Sequence, residues 1–301
     1  MPTSPGRSEE LGRPVTNLEK TLGEGRSAIT LELSPPKGTD TSALLDHARA
    51  LSPLTTAFNV TDNQSAVMHL SSLAAAKLIL DSGADVIFQI TGRDRNRIAL
   101  QSDLLAASAF GIGNVLALTG DHVSCGDHPG AKPVFDLDSV HILGAISSLN
   151  SGRDLAGKTL RGAARLFPGA AVAPEYEPLE LQLMKFDKKV EAGARFFQTQ
   201  AVFEPRALER LMTRAASLPV YVLAGVLLLK SAAMADYINR KVPGLHVPGK
   251  LLKRLESSGD SLKEGIAIAV EQIRTYRGLC HGIHLMTAGS EGIAGEILHC
   301  L

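Results

Sequence analysis

Asn114-Val-Leu-Ala-Leu-Thr-Gly-Asp-His122 decides the reading of this chain. Four apolar residues, Val115 to Leu118, end abruptly in Thr119-Gly120-Asp121. A short continuous apolar run reads as a strand covered on both faces, and the residues after it put a carboxylate on the loop at its C-terminal end. Gly120 lets the backbone approach a flat ligand closely, and Asp121 places a charge there. An ordinary strand-ending turn carries the same signature, so the surrounding chain has to decide.

Outward from this stretch, β-rich segments recur at 28–33, 57–60, 85–90, 171–173, 195–200, 220–225 and 282–287, which with 114–118 makes eight. Between them lie helical patterns at 66–82, 97–111, 178–193, 205–217 and 261–278, each ended or opened by Gly or Pro. A short helix is expected at 16–23, and longer excursions at 125–149 and 243–259. Strands alternating with helices give right-handed βαβ units and a parallel sheet. Eight such units in 301 residues point to an α/β fold of the (β/α)8 TIM-barrel type. No GxGxxG follows the first strand, which counts against a dinucleotide-binding half. The expected organisation is a flexible N-terminal tail, 1–15, and a single barrel domain, 16–301.

Composition narrows the partners. Lys plus Arg and Asp plus Glu balance at 31 each, so no global basic field attracts nucleic acid or a lipid surface. Three widely spaced cysteines imply neither a disulfide framework nor a CxxC zinc site. The apolar run 220–229 is too short to span a bilayer, and the N-terminus lacks the apolar core of a signal peptide. A cytoplasmic location is expected.

In such a barrel, function sits on the loops after the strands. Those loops receive Glu32 from the first strand, Thr61-Asp62-Asn63-Gln64 from the second, and Gln89, Thr91 and Arg93 from the third. The fourth supplies Thr119-Gly120-Asp121, the fifth Glu175, and the sixth Gln198-Thr199-Gln200. A carboxyl buried in a strand resists ionisation, which suits Glu32 to general-acid work; pairing with a neighbouring cation is the alternative. The basic loop 93–97 suits a phosphate or a solvated face. Lys185 shares a helix face with Lys188 or Lys189, a clamp for a diphosphate or a solubilising surface. His122, Cys125 and His128 lack a fourth ligand of fixed spacing, so no metal is assigned. His281 and His284 are placed toward the end opposite the rim, in a structural role.

Five motifs now stand in register: Leu31-Glu32-Leu33-Ser34-Pro35-Pro36-Lys37-Gly38, Gly92-Arg93-Asp94-Arg95-Asn96, Leu118-Thr119-Gly120-Asp121, Val134-Phe135-Asp136-Leu137-Asp138-Ser139, and Lys188-Lys189-Val190-Glu191-Ala192-Gly193-Ala194 running on to Gln198-Thr199-Gln200. Together they resemble the methylenetetrahydrofolate reductase family of (β/α)8 flavoproteins, over nearly the whole chain. The resemblance implies a reduced flavin that passes hydride to 5,10-methylenetetrahydrofolate. FAD is the family's usual flavin; the residues themselves do not separate it from FMN. By position, Glu32 matches the general acid, Asp121 the carboxylate beside flavin and folate, and Gln200 the folate-contacting Gln. Thr61, Gln89, Leu118, Thr119, Gly120, Asp121, Ala173, Lys188 and Lys189 match flavin-lining positions, and Thr91, Arg93, Phe135, Asp136 and Lys185 join the same cofactor-binding set.

The chain departs from the family pattern at Thr119 (often Arg), Gln89 (His), Ala173 (Tyr or Asn) and Ala232 (an aromatic). Thr119 resembles the Leu-Thr-Gly-Asp branch, and the departures count against an NAD(P)H site more than against the folate site. The expected partners are NAD(P)H or a separate electron-donating protein subunit, and an oligomer is expected. One-carbon metabolism leading to methionine is the implied setting. Two other readings stay open: a flavin-free methyltransferase barrel serving a corrinoid protein, and a non-catalytic subunit of a one-carbon complex.

Overall fold

Eight parallel strands close into a barrel in sequence order. They are β1 (Ala28–Leu33), β2 (Ala57–Val60), β3 (Val86–Thr91), β4 (Asn114–Leu118), β5 (Phe167–Val172), β6 (Phe196–Ala201), β7 (Tyr221–Leu227) and β8 (Gly282–Met286). The last returns to the first, with Ala28 beside Gly282 and Leu31 beside Leu285. This computed structural model describes residues 15–242 and 244–301. The tail expected at 1–15 therefore lies outside the described residues, Val15 excepted.

Helices α1 (Asn17–Gly23), α2 (Ser42–Leu51), α3 (Ser72–Asp81), α4 (Arg97–Ala109), α5 (Ser139–Asn150) and α6 (Leu179–Glu191) are followed by α7 (Pro205–Ala215), α8 (Ala232–Lys241), α9 (Gly249–Ser257), α10 (Ser261–Tyr276) and α11 (Ala294–His299). Apart from α1, they pack around the outside of the barrel. None among the described residues is long and apolar enough to cross a membrane.

Register decides which side chains share the interior. Thr30 pairs with His284, Glu32 with Asn59, Gln89 with Leu116, and Ala171 with Gln198. Paired residues point to the same face, and alternation sends their neighbours to the helices. At the N-terminal end the interior is apolar, with Ala28, Ala57, Ile87, Phe167, Phe196 and Leu223 packed on Leu18 and Leu22 of α1. Burying each leucine contributes roughly 2 kcal/mol. The plug is pinned by Leu18 N–H donating to Asp85 at 2.9 Å and the Thr16 hydroxyl donating to Asn114 at 2.6 Å. With that end sealed, the interior opens at the C-terminal ends of the strands.

Helices α2, α8 and α11 were not expected, and the larger differences otherwise lie at α3, β5 and the two excursions. Helix α3 starts at Ser72 rather than 66, because Asn63, Ser65 and Ala66 take left-handed backbone conformations and cannot sit in a helix. Each such L-residue costs about 1–2 kcal/mol. Strand β5 begins at Phe167, ahead of the expected 171, and carries Pro168 and Gly169, which disguise it. A side chain at Gly169 would collide with the Phe196 ring inside the barrel. The excursions at 125–149 and 243–259 contain helices: α5, whose Asp138 cap accepts the His141 N–H at 2.9 Å, and α9.

Candidate active site

The open end holds a cleft of about 290 Å³ floored by Gln198 and His284 and walled by Glu32, Gln89, Leu118 and Asp121. Glu32 is 7% exposed and accepts a 3.3 Å hydrogen bond from the Gln64 amide. Burial raises its pKa to about 7, with the Gln64 bond opposing and the nearby Glu291 charge adding to the rise. A carboxyl in that range is protonated often enough near neutrality to give a proton away.

Across the cleft, Asp121 is exposed on the rim. Its approach is set by Gly120, at φ +89°, where an added Cβ would sit 3.1 Å from Arg93 Cβ and 3.2 Å from Thr91 Cβ. We expect Gly120→Ala to lower stability by about 1–3 kcal/mol in urea unfolding; an unchanged midpoint would contradict the role given to this turn. Thr119 is fixed in turn, its hydroxyl accepting the Ser139 N–H at 3.1 Å at the start of α5.

The basic loop is internally neutralised. Arg93 is buried and bonds Asp94 at 2.6 Å, the Asn63 carbonyl at 3.1 Å and the Asp121 carbonyl at 3.4 Å. Arg95 grips Asp62 at 2.7 Å and Asp103 at 2.8 Å, and Arg97 grips Asp136 at 2.8 Å. These guanidiniums organise the loops instead of standing free. Asp62 is the hub, also accepting from Thr91 N–H and Thr91 Oγ1, each at 2.9 Å, and from Ser72 Oγ at 3.2 Å.

On α6, Lys185 and Lys188 are exposed, while Lys189 leans in to donate to the Ala171 carbonyl at 2.7 Å. Burial, then the like charge of Lys185, lowers its pKa to about 8, against the pull of Asp138. Gln200 lies exposed on the rim, and Gln89 and Thr91 line the cleft. Thr61, Phe135, Asp136 and Ala173 stand outside the cleft lining. Thr61 is buried with its N–H on the Leu33 carbonyl at 3.2 Å; Phe135 faces His122 at 6.3 Å between ring centroids; Ala173 lies one residue beyond β5. Glu175 turns from the mouth to accept the Phe203 and Glu204 N–H groups, each at 2.7 Å.

His284 is a correction. Rather than lying at the far end, it sits midway along β8 on the cleft floor, its Nδ1 3.0 Å from Thr30 Oγ1 and 3.4 Å from Gln198 Nε2. Burial lowers its pKa to about 3, so the ring is neutral. His281 does occupy the opposite end, accepting the Val222 N–H at 3.0 Å. The signal for His284 was in the alternation Gly282, His284, Met286, which puts it on the same face as Thr30 and Glu32 once β8 is paired with β1. Asn59 and Gln198 Oε1, also interior, have no hydrogen-bond partner among the described residues. No three His, Cys, Asp or Glu side chains there are grouped to hold a metal.

A (β/α)8 barrel sealed at the N-terminal ends of its strands and open at the C-terminal ends carries its polar cleft where barrels of this class have their sites. The chain belongs to the methylenetetrahydrofolate reductase family, whose model matches residues 17–301. It is similar to a probable methylenetetrahydrofolate reductase (NADPH) of Caenorhabditis elegans, 26% identical over 302 residues, 94% of this chain and 43% of that protein. The chain thus spans less than half the length of that relative. Among solved structures it resembles 2,3-dimethylmalate lyase of the PEP mutase/isocitrate lyase superfamily (TM-score 0.54, 12% identity, 95% of this chain and 84% of that one). Oxaloacetate acetylhydrolase is similar to the same extent (TM-score 0.53, 11% identity, 94% and 84% covered). At such identities the likeness is one of fold alone.

Proposed function

We propose that this chain reduces 5,10-methylenetetrahydrofolate to 5-methyltetrahydrofolate, with a bound flavin as the hydride source and Glu32 as the general acid. The observation that carries the proposal is Glu32 itself: a carboxyl of raised pKa at the mouth of a barrel of this family. The cleft suits a flat heterocycle. The Gln89 side chain has no protein partner among the described residues, Leu116, Leu118 and Ala171 supply apolar wall, and Gly120 leaves room for close approach. Gln89, Thr91, Thr119 and Gly120 would hold the flavin, FAD by family habit, with Lys185 and Lys189 toward its phosphates. A phosphate there would relieve the repulsion between those two lysines. The flavin, when bound, supplies two electrons as hydride.

Glu32 protonates the folate nitrogen as the five-membered ring opens, so that the exocyclic carbon becomes electrophilic. Asp121 and Gln200 orient the pterin from the rim, and the Asp121 charge disfavours further negative charge beside it. Electrons come from NAD(P)H or from a separate protein subunit, a choice tested by anaerobic reduction with NADH, NADPH and ferredoxin in turn. A colourless protein that binds no flavin would favour the methyltransferase reading instead.

A pH dependence follows from the raised pKa. Folate reduction in a single turnover should be constant at acid pH and fall about tenfold for each unit above about 7 as Glu32 loses its proton. A rate flat from pH 6 to 9 would remove Glu32 from this role.

A further inference from the structure

We propose that Gln64 is a positioning residue that fixes which oxygen of the Glu32 carboxyl carries the proton. Only the catalytic consequence rests on the function proposed above; the hydrogen-bond geometry does not.

The chain leaves β2 and at once adopts backbone that L-residues avoid: Asn63 at φ 46°, Ser65 at φ 55° and Ala66 at φ 59°. No glycine relieves it. The surroundings hold it there. The Asn63 side chain accepts the His69 N–H at 2.9 Å, and its carbonyl accepts Arg93 Nη2 at 3.1 Å. The Ala66 carbonyl rests on Gly126, where any side chain would collide with it. Asp127 accepts the Met68 N–H at 3.3 Å and is paired with Lys37, tying together the loops after β1, β2 and β4.

An exposed glutamine on an ordinary turn needs none of this. What the arrangement achieves is the direction of Gln64, whose Nε2 lies 3.3 Å from Glu32 Oε1. Strained backbone held by several independent contacts is found where a side chain has to be aimed. The carbonyl oxygen of a protonated carboxyl is a better acceptor for an amide N–H than its hydroxyl oxygen, so the Gln64 bond to Oε1 favours the acidic proton on Oε2. The same bond strengthens when the carboxyl ionises, and so restrains the rise in proton affinity that burial causes.

The other charged groups around Glu32 do not substitute for it. Glu291, after β8, pushes the other way. Asp62 is occupied by Arg95 and Arg93 by Asp94, while Asp121 stands on the rim across the cleft and His284 is neutral.

The test reads the carboxyl directly. In the intact protein, the carbonyl band of the protonated Glu32 side chain is identified by infrared difference against Glu32→Gln and titrated with pH. Gln64→Met keeps the length and removes the donor. It should bind the Glu32 proton about tenfold more tightly and shift the band, and the fall in folate reduction with rising pH should move with it. Gln64→Asn, whose amide falls one methylene short, should move in the same direction. Because Gln64 is exposed, neither change threatens the fold. A Gln64→Met protein whose Glu32 titrates at the wild-type pH with an unshifted band overturns the inference. A wild-type midpoint near 4.5 would instead remove Glu32 from the acid role, while the Gln64 comparison would still decide whether the amide places the proton.

Discussion

Glu32→Gln should leave a folded protein that still takes up and reduces its flavin but reduces folate 10²- to 10⁴-fold more slowly, roughly the worth of a general acid. The substitution preserves shape and the acceptor for Gln64 while removing the transferable proton. Stopped-flow measurement of the two half-reactions separates the effects, and unchanged folate turnover would end the assignment. The variant also carries a stability signature. Burial raises the pKa of Glu32 from 4.5 to about 7, so the folded state holds the proton more tightly than the unfolded chain. Its contribution is fully present below pH 4.5 and is lost as pH rises through about 7. Glu32→Gln should flatten that portion of the stability profile.

Asp62→Ala should be the most destabilising single change near the mouth, at about 3–5 kcal/mol. The carboxylate is buried and serves Arg95, both donors of Thr91, and Ser72 at once. Its loss leaves Arg95 with Asp103 alone, and the Thr91 N–H without an acceptor, at the point where β3 passes into the loop bearing Arg93. Because that loop also carries the floor beneath Gly120, flavin affinity should fall together with stability. Urea unfolding reads the first and flavin retention on gel filtration the second. Asp62→Asn, which keeps the acceptor without the charge, should lose less. Equal losses for the two would show that the charge on Asp62, and not its shape or its acceptor oxygen, carries the stabilisation.

Much of the site was legible because it depends on strand ends. Glu32 lies in an alternating apolar run, and Asp121 follows an abrupt apolar stop, so both announce themselves locally. The three arginines after β3 were equally visible, but not their partners. Asp103 is eight residues from Arg95, Asp136 is thirty-nine from Arg97, and Asp62 comes from the preceding strand. A cation that reads as a phosphate site in one dimension is neutralised by carboxylates arriving from elsewhere. Lys189 is the converse: one of three lysines on a helix, distinguished only by leaning over β5.

The amino-acid sequence by itself determined eight strands, about half of the helices and hence a closed parallel barrel, because strand and helix periods and their Gly and Pro boundaries are properties of neighbouring residues; it did not mark α2, α5, α8, α9 or α11. It missed the start of β5, where Gly169 obeys a constraint set by the Phe196 ring on the adjacent strand. Tertiary structure alone decided that α1 seals one end, that His284 rises to the floor of the cleft, and that Gln64 is held on Glu32 by left-handed backbone at Ser65 and Ala66. Those outcomes depend on the register with which the sheet closes and on loops packed against one another. Such contacts join residues far apart in the chain, where no local periodicity records them.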